Sequence, residues 1–320
     1  MLRRQDVGHR VVVRRIVGVS ADRTLFSDAL GELVDLTETE LTIATAQGTL
    51  RVPLREVHRA KRVPPARRPR AADVIALELA ANEAWPAPIQ DRLGSWVLRA
   101  AENWTGRANS ALAVGDPDRR LEAAVDAVTE WYAAHGQQAL INAPMPLAAP
   151  VNNLLDERGW TSRPLTLVQT TSLITLLAAT PERADLPPVL LADAPTDDWF
   201  AMVAEHKGAL PDAAARVLTG VPGTVFARVH DEAGALIAVA RGTVTGPDKW
   251  HGISLVQSVP AARRRGLAAH VVRAMAQWAV QRGSTRAYLQ VEERNSAAVA
   301  LYARLGFTTH HTYLTREQPR

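Results

Sequence analysis

Cysteine is absent from the 320 residues of this chain. Its absence excludes a disulfide framework, thiolate catalysis and a cysteine-ligated metal site. Long apolar runs are also missing: none approaches the ~20 residues that a membrane span needs, and Met1–Asp6 lacks the apolar core of a signal peptide. Hydrophobic residues make up 47% and charged residues 22%, as in ordinary globular proteins. We therefore expect a soluble cytoplasmic protein of two or three domains with no membrane partner.

Positive charge is spread unevenly along the chain. The net formal charge is +4, yet residues 1–70 alone hold 14 Arg or Lys against 8 Asp or Glu. This basic segment lacks the aromatic stacking pattern of RNA-binding modules, so nucleic acid is not an expected partner. Two interpretations stay open: the segment binds an acidic partner, or its arginines form a solvated face on a docking domain.

A candidate anion-binding loop lies between a strand and a helix at residues 263–269. An apolar β-type run ends at Pro260, and apolar residues then recur from Leu267 at helical spacing, on a face that includes Val271 and Met275. A helix N-terminus offers unpaired N–H groups and a positive dipole end. Small side chains let a phosphate approach the backbone closely. A pyrophosphate is therefore predicted to bind the loop Arg263, Arg264, Arg265, Gly266, Leu267, Ala268 and Ala269.

The order of the motifs after this loop resembles the GNAT superfamily of acetyl-CoA-dependent N-acetyltransferases. A strand-like run, Arg286–Val291, is followed by Asn295 and by the segment Leu301–Phe307 with its Leu-Tyr-x-x-x-Gly-Phe pattern. The resemblance covers about the last half of the chain. It implies an α+β GNAT fold, a catalytic lobe at residues 186–316, acetyl-CoA as co-substrate, and transfer of the acetyl group to an amine by direct attack on the thioester. The acceptor, a small metabolite or a protein or peptide amine, stays open.

The same resemblance assigns roles to individual residues. Asn295 is expected to contact the co-substrate, the alternative being a helix N-cap. Tyr302 is the candidate general acid, because a hydroxyl with an ordinary pKa near 10 holds its proton at neutral pH and can give it to a thiolate. Packing beside Phe307 is the alternative for this tyrosine. The strand before the loop is expected to bind the pantetheine arm through the backbone of Val256, Gln257 and Ser258.

The general base stays open. In the branch of the superfamily that acetylates a ribosomal-protein N-terminus, a glutamate lies twelve residues before the tyrosine. Here that position holds Gln290, which cannot accept a proton. This departure argues against that branch and supports an alternative function, an acyl-CoA sensor without turnover, whereas the retained Tyr302 supports an enzyme. The remaining candidates for the base are Glu205, His206, His251, Glu292 and Glu293.

An internal repeat relates the middle of the chain to its end. Each of Trp278, Gly283 and Gly306 lies 147 positions after its counterpart, which is Trp131, Gly136 or Gly159. A repeat of this regularity predicts that residues 71–180 form another GNAT-like lobe, which we call the first lobe; residues 186–316 are then the second lobe. We expect the first lobe to be degenerate, with a structural or substrate-shaping role, because the site residues are replaced. At the same offset Arg263, Gly266, Ala268, Asn295 and Tyr302 correspond to Asp116, Arg119, Leu121, Ala148 and Leu155.

Short β-type runs fill the basic N-terminal segment, and Gln47-Gly48 supplies a hairpin turn. Five short strands in about sixty residues predict a small closed β-barrel over residues 1–66. This barrel resembles the Src-homology-3-like barrel found ahead of some actinobacterial GNAT enzymes. The proline- and arginine-rich stretch Val63–Arg70 is predicted to be a linker, and a homodimer stays an open expectation. The predicted strands are Arg10–Val17, Gly31–Leu36, Leu41–Thr45, Thr49–Pro53 and His58–Val63.

Overall fold

A computed structural model describes residues 2–20, 23–45, 48–63 and 69–319. The chain divides into two compact units, Met1–Arg68 and Pro69–Arg320. Gln47 of the predicted hairpin turn, residues 64–68 of the predicted linker and the side chain of His206 lie outside the described residues. None of the helices in the described ranges combines the length and the apolar character needed to cross a membrane.

Five strands form the first unit: β1 (Arg10–Ser20), β2 (Arg23–Leu36), β3 (Glu40–Thr45), β4 (Gly48–Pro53) and β5 (Val57–Arg62). They make one antiparallel sheet in the order β4-β3-β2-β1-β5. Val11, Val13, Leu33, Ile43 and Val52 are fully buried and pack in one core. Because these side chains come from four strands, the sheet folds around a single core. Among the described residues β4 and β5 are its two edges and do not pair with each other, so the closed barrel stays a prediction.

Strand β2 begins at Arg23, well before the predicted start at Gly31. Apolar side chains in its first half lie on both faces, since the neighbours Leu25 and Phe26 point to opposite faces of the strand, where they are 47% and 46% exposed. A strand with apolar residues on both faces lacks the period of two that marks a half-buried strand. The sequence therefore predicts only the second half of β2.

The second unit contains the remaining elements. Its helices are α1 (Ala71–Glu83), α2 (Leu121–Ala134), α3 (Ala149–Glu157), α4 (Leu173–Ala179), α5 (Asp197–Lys207), α6 (Asp212–Thr219), α7 (Leu267–Gln281) and α8 (Ser296–Arg304). Its strands are β6 (Ile89–Leu93), β7 (Trp96–Ala100), β8 (Ala111–Leu112), β9 (Leu140–Met145), β10 (Thr161–Ser162), β11 (Thr166–Ser172), β12 (Leu190–Ala192), β13 (Thr224–His230), β14 (Leu236–Thr245), β15 (Trp250–Ser258), β16 (Arg286–Glu292) and β17 (Thr308–Glu317). These strands form one sheet in the order β12-β13-β14-β15-β16-β11-β17-β9-β8-β7-β6, and β10 pairs with β17.

The two halves of this sheet exchange their last strands. β11 lies between β16 and β17, so that Val168 is opposite Gln290 on one side and His311 on the other. β17 in turn pairs with β9, where Thr315 is opposite Asn142. Each repeat therefore completes the sheet of the other, and both lie in one continuous sheet.

The repeat of 147 residues is visible in the bounds of the helices. Both ends of α8 lie 147 positions after the corresponding ends of α3, and the last residues of α2 and α7 keep the same offset. The buried faces also correspond, since Val125 and Val128 are buried in α2 as Val272 and Met275 are in α7. One supersecondary unit is thus used twice in the chain.

Helix α7 packs its apolar face against the second-lobe sheet. Leu267, Val271, Val272 and Met275 are at most 2% exposed and share a core with Val225 and other residues of β13 and β14. Burial of each such side chain contributes about 1.5–3 kcal/mol. The predicted buried face of this helix is confirmed, and its packing holds the start of the helix at the end of β15.

Candidate active site

A cleft opens in the large sheet where two neighbouring strands diverge. The parallel ladder between β15 and β16 ends at the pair Ile253 and Leu289, although β15 continues to Ser258 and β16 to Glu292. Beyond that pair, β15 stays bonded to β14, and β16 stays bonded to β11. The backbone groups of β15 that face away from β14 are therefore available to a ligand.

A β-bulge redirects the backbone of β15 at this point. Leu255 and Val256 both stand opposite a single residue of β14, Ala240. Leu255 has a φ of 53°, in the left-handed region, where a non-glycine residue stores about 1–3 kcal/mol of strain. Bulges next to active sites re-aim the groups of a strand, and here Leu255, Val256 and Gln257 all line the cleft.

The cleft holds a cavity of about 690 Å³. Part of its lining comes from β15, β16 and α8 of the second lobe and includes Val256, Gln257, Gln290, Glu292, Asn295 and Tyr302. The rest comes from the first lobe and from β17 and includes Trp104, Thr105, Arg107, Arg163, Thr166, Tyr313 and Thr315. Of the residues predicted from the sequence, the cavity brings together Val256, Gln257, Asn295 and Tyr302.

The predicted anion-binding loop lies beyond the end of β15, outside the cavity lining. Its arginines, Arg263–Arg265, are exposed. Gly266 is the N-cap of α7 with a φ of 93°, a left-handed conformation that favours glycine. The first intrahelical bond runs from the amide of His270 to the carbonyl of Gly266, so the three amides between them have no acceptor within the helix. Ser258 ends β15, paired with Ala238, and the chain runs from there to this helix start.

Tyr302 lies on α8, is 8% exposed and lines the cavity. Its ring meets that of Phe307 edge to face, with the ring centroids 5.7 Å apart. Burial raises the pKa of the Tyr302 hydroxyl to about 12, so the hydroxyl keeps its proton at neutral pH. The position satisfies the requirements of a general acid and also those of a packed core tyrosine.

The side chain of Asn295 caps helix α8. Its Oδ1 accepts a hydrogen bond from the amide of Ala298 at 3.2 Å, which is the N-cap arrangement. Asn295 is also exposed and lines the cavity. Because capping uses Oδ1, a contact between this side chain and a ligand would use Nδ2.

Among the candidate bases, Glu292 lines the cavity. Its carboxylate lies 2.6 Å from Nε of Arg294. His251 is fully buried, and its Nδ1 donates to the carbonyl of Thr243 at 3.1 Å. Burial lowers the pKa of His251 to about 4, so the ring is neutral at pH 7. Glu205 and Glu293 are exposed.

The first lobe contributes a loop that sequence reasoning does not predict. Residues 101–109 lie in the connection between β7 and β8 and present Trp104, Thr105 and Arg107 to the cavity. Asn109 organises this loop: its Oδ1 accepts from the amides of Ala101 and Asn103 at 2.7 and 3.0 Å. Its Nδ2 donates to the carbonyls of Trp104 and Thr105, both at 2.8 Å. In the sequence, Trp104 is the residue that could have marked this loop as functional, because aromatic residues make up only 5% of the chain.

An aromatic stack supports the same loop. The rings of Trp85 and Trp104 stack with centroids 5.5 Å apart and planes 12° from parallel, and Nε1 of Trp85 donates to Oγ1 of Thr105 at 3.1 Å. The guanidinium groups of Arg107 and Arg241 lie 4.6 and 5.3 Å from the Trp85 ring centroid. Such cation–π contacts contribute about 0.5–2 kcal/mol each. This part of the cavity wall is therefore held by aromatic and polar contacts, and it carries positive charge.

Comparison with known proteins defines the class to which this fold and site belong. Residues 71–315 match the family described as the C-terminal region of the probable histone acetyltransferase Rv0428c. The probable histone acetyltransferase Rv0428c of Mycobacterium tuberculosis is 31% identical over 249 residues, which are 76% of this chain and 73% of that protein. The chain belongs to this family and, with it, to the GNAT superfamily of N-acetyltransferases, which are acyltransferase enzymes.

Solved structures agree with this assignment at the level of the fold. A GCN5-related N-acetyltransferase from Kribbella flavida matches 77% of this chain and 96% of its own, with a TM-score of 0.59 and 18% identity. A tandem GNAT protein from the clavulanic acid biosynthesis pathway matches 79% of this chain and 91% of its own, with a TM-score of 0.55 and 15% identity. The mixed α+β GNAT fold expected from the sequence is confirmed.

Proposed function

We propose that this protein transfers the acetyl group of acetyl-CoA to the amine of an acceptor, by direct attack of the amine on the thioester. One observation carries the proposal: Tyr302, which is only 8% exposed, lines a cavity at the point where β15 and β16 diverge. Bound acetyl-CoA supplies an activated acyl group. The protein must position the two reactants, accept the proton of the amine and protonate the leaving thiolate.

The residues present fit acetyl-CoA along the length of the site. The amides that follow Gly266 would bind the pyrophosphate, with positive charge from Arg263–Arg265 beside them. The cleft-facing backbone of Val256–Ser258 would bind the pantetheine arm, and Asn295 would contact the arm from the start of α8. Glycine suits the start of α7, since the φ of +93° at Gly266 is one that residues with a side chain rarely adopt.

Two side chains of the cavity would handle the protons. Tyr302, with its pKa raised to about 12 by burial, would hold a proton at neutral pH and give it to the departing thiolate. Glu292, the candidate carboxylate in the cavity lining, would accept the proton of the amine, directly or through water. Because Glu292 is exposed, its carboxyl group would then release that proton to solvent.

We further propose that each of three parts of the chain has its own role. Residues 186–316 would hold one acetyl-CoA, residues 71–180 would shape the acceptor side, and residues 1–66 would form a separate module. The start of α2 supports this division, because its N-cap is Arg120 in an extended conformation, whereas α7 starts with a left-handed glycine. Asp116, near that start, also adds negative charge where an anion would bind.

A lysine on a basic protein is a second candidate acceptor. The observation that favours it is the name of the Mycobacterium tuberculosis relative, a probable histone acetyltransferase. Small amines and protein lysines differ in size and charge, so one panel of acceptors can separate the two candidates.

The direct test is release of CoA thiol from acetyl-CoA in the presence of amino acids, other small amines and lysine-rich peptides. We expect saturable release that depends on the acceptor, together with a mass increase of one acetyl group on the acceptor. Tight binding of acetyl-CoA without thiol release for any member of the panel would contradict the proposal and favour the acyl-CoA sensor.

A further inference from the structure

Among the residues that the structure describes, Arg107 is a cation of the cavity lining that lacks an anionic partner. Its half-buried side chain donates from Nη1 to the neutral Oε1 of Gln290 at 3.0 Å. Within the part of the chain that the structure describes, Arg107 forms no ion pair. The other charged residues of the lining do, since Arg163 lies 3.4 Å from Glu317 and Glu292 lies 2.6 Å from Arg294. Arg107 is therefore the cation most in need of an anion from outside the protein.

A second guanidinium reinforces this charge. Arg241 is 1% exposed, lies against the same Trp85 ring as Arg107, and donates to the carbonyls of Leu218 and Ala84 at 2.9 and 3.0 Å. Burial lowers its pKa to about 9, so Arg241 is still protonated at pH 7. The two cations at one tryptophan create a positive potential in a partly desolvated cavity, where Coulomb interactions are stronger than in water.

We propose that the acceptor amine also bears a carboxylate, which binds Arg107. The substrate class is then amino acids and short peptides whose free carboxylate lies close to the amine. This inference rests on the proposed acetyl transfer. A guanidinium binds a carboxylate through two parallel hydrogen bonds, and such binding gives Arg107 the anion that the protein does not supply.

The same charge affects the amine of the acceptor. Nearby cations disfavour the protonated form of an amine and lower its pKa. A larger fraction of the amine is then neutral and able to attack the thioester, which helps at a site where Gln290 cannot accept a proton. They also repel an acceptor that carries several positive charges. The cavity of about 690 Å³ is within the range of small-molecule sites. The charge and the size of the cavity both favour a small amine that bears a carboxylate over a lysine-rich protein tail.

Matched pairs of acceptors test this inference on the full-length protein. Common amino acids and dipeptides are assayed beside their C-terminal amides and beside a lysine-rich peptide, with kcat/KM measured from CoA release. We expect at least one free carboxylate to exceed its amide by about 10- to 100-fold, the range for one hydrogen-bonded pair that involves charged groups. Equal or better turnover of the amides or of the lysine-rich peptide would overturn the inference while leaving acetyl transfer established.

Variants at Arg107 locate the effect. Arg107→Gln should bring the carboxylate-to-amide ratio close to one, chiefly through KM for the acceptor, and Arg107→Lys should keep an intermediate ratio. Arg282→Gln is the matched control, because it also removes a guanidinium from a tryptophan, Trp278, at 4.1 Å but outside the cavity lining. An unchanged ratio in folded Arg107→Gln would refute the role of this side chain.

Binding gives a readout that does not depend on turnover. Calorimetry with the CoA-bound protein should show tighter binding of the N-acetylated product with a free carboxylate than of its amide. If no acceptor is turned over, the proposed function fails, and this comparison still tests the carboxylate site. Equal binding of both products would then exclude it. If Arg107→Gln does not fold, the wild-type ratios and Arg107→Lys decide the question.

Discussion

Replacement of Tyr302 with phenylalanine tests the chemistry of the site most directly. The change removes one hydroxyl and keeps the ring that meets Phe307 at 5.7 Å, so packing should survive. If the hydroxyl protonates the departing thiolate, kcat should fall about 10²–10⁴-fold, the range for a positioned general acid. The affinity for acetyl-CoA should change little, because no residue of β15 or of the loop proposed to bind the pyrophosphate is altered.

The same hydroxyl should leave a signature in the pH dependence of stability. Burial raises its pKa from the ordinary value of 10.0 to about 12. Above pH ~10 the unfolded chain loses this proton whereas the folded chain retains it, so the free energy of unfolding falls as the pH rises. Two units of pKa correspond to about 3 kcal/mol at most. Tyr302→Phe lacks the titrating proton and should lose less stability over this range than the wild type.

The assay combines CoA-thiol release at saturating acetyl-CoA with urea unfolding at neutral and alkaline pH. Tyr132→Phe is the matched control, because the hydroxyl of Tyr132 is buried in the first lobe and donates to the carbonyl of Arg99 at 2.8 Å. Its loss should cost about 1–3 kcal/mol of stability and leave kcat unchanged. An unaltered kcat in folded Tyr302→Phe, or an equal fall in both variants, would refute the general-acid role.

Three further changes test other parts of the structure. Gly266→Glu should abolish acetyl-CoA binding in calorimetry, because it adds volume and negative charge at the N-cap of α7, where the backbone φ is in the left-handed region. Normal affinity for acetyl-CoA would contradict the proposed phosphate site. A protein that begins at Ala71 should remain folded and bind one acetyl-CoA per chain, since the second unit has its own hydrophobic cores. Insoluble protein would show that the first unit is needed for folding. Two molecules of acetyl-CoA bound per chain would contradict the prediction that the first lobe is degenerate. His251→Gln should weaken the acid sensitivity of stability, because below pH 6.5 the unfolded chain takes up a proton that buried His251 accepts only near its pKa of about 4. Urea unfolding across that range should show a difference of up to about 3 kcal/mol from the wild type, and identical pH profiles would exclude this contribution.

Features that depend on neighbouring residues were predictable from the sequence. The helix that begins at the predicted anion-binding loop forms as α7, and its apolar face is buried as the periodicity predicts. These predictions succeed because helix formation and amphipathic burial are encoded within a few turns of one segment. The family resemblance extended them to the whole second lobe, because the family keeps the order of its motifs.

Features that depend on partners far along the chain were not predictable. The valine and the threonines of β11 favour a strand, yet nothing in Thr166–Ser172 specifies that it lies between β16 and β17. Strand pairing is decided by packing against both neighbours, which here are more than a hundred residues away in sequence. The two lobes predicted from the sequence, residues 71–180 and 186–316, therefore gave no indication that their strands form one sheet.

The strand exchange also explains why half of the cavity wall was missed. Tyr313 and Thr315 reach the lining on β17, which is bonded to β9 of the first lobe. The same pairing brings the loop with Trp104 and Arg107 to the cleft of the second lobe. The first lobe, which we predict to lack an anion-binding loop of its own, therefore still contributes side chains to the cavity in the second lobe. On this argument, substitutions in the loop at residues 101–109 should alter the choice of acceptor before they alter the affinity for acetyl-CoA.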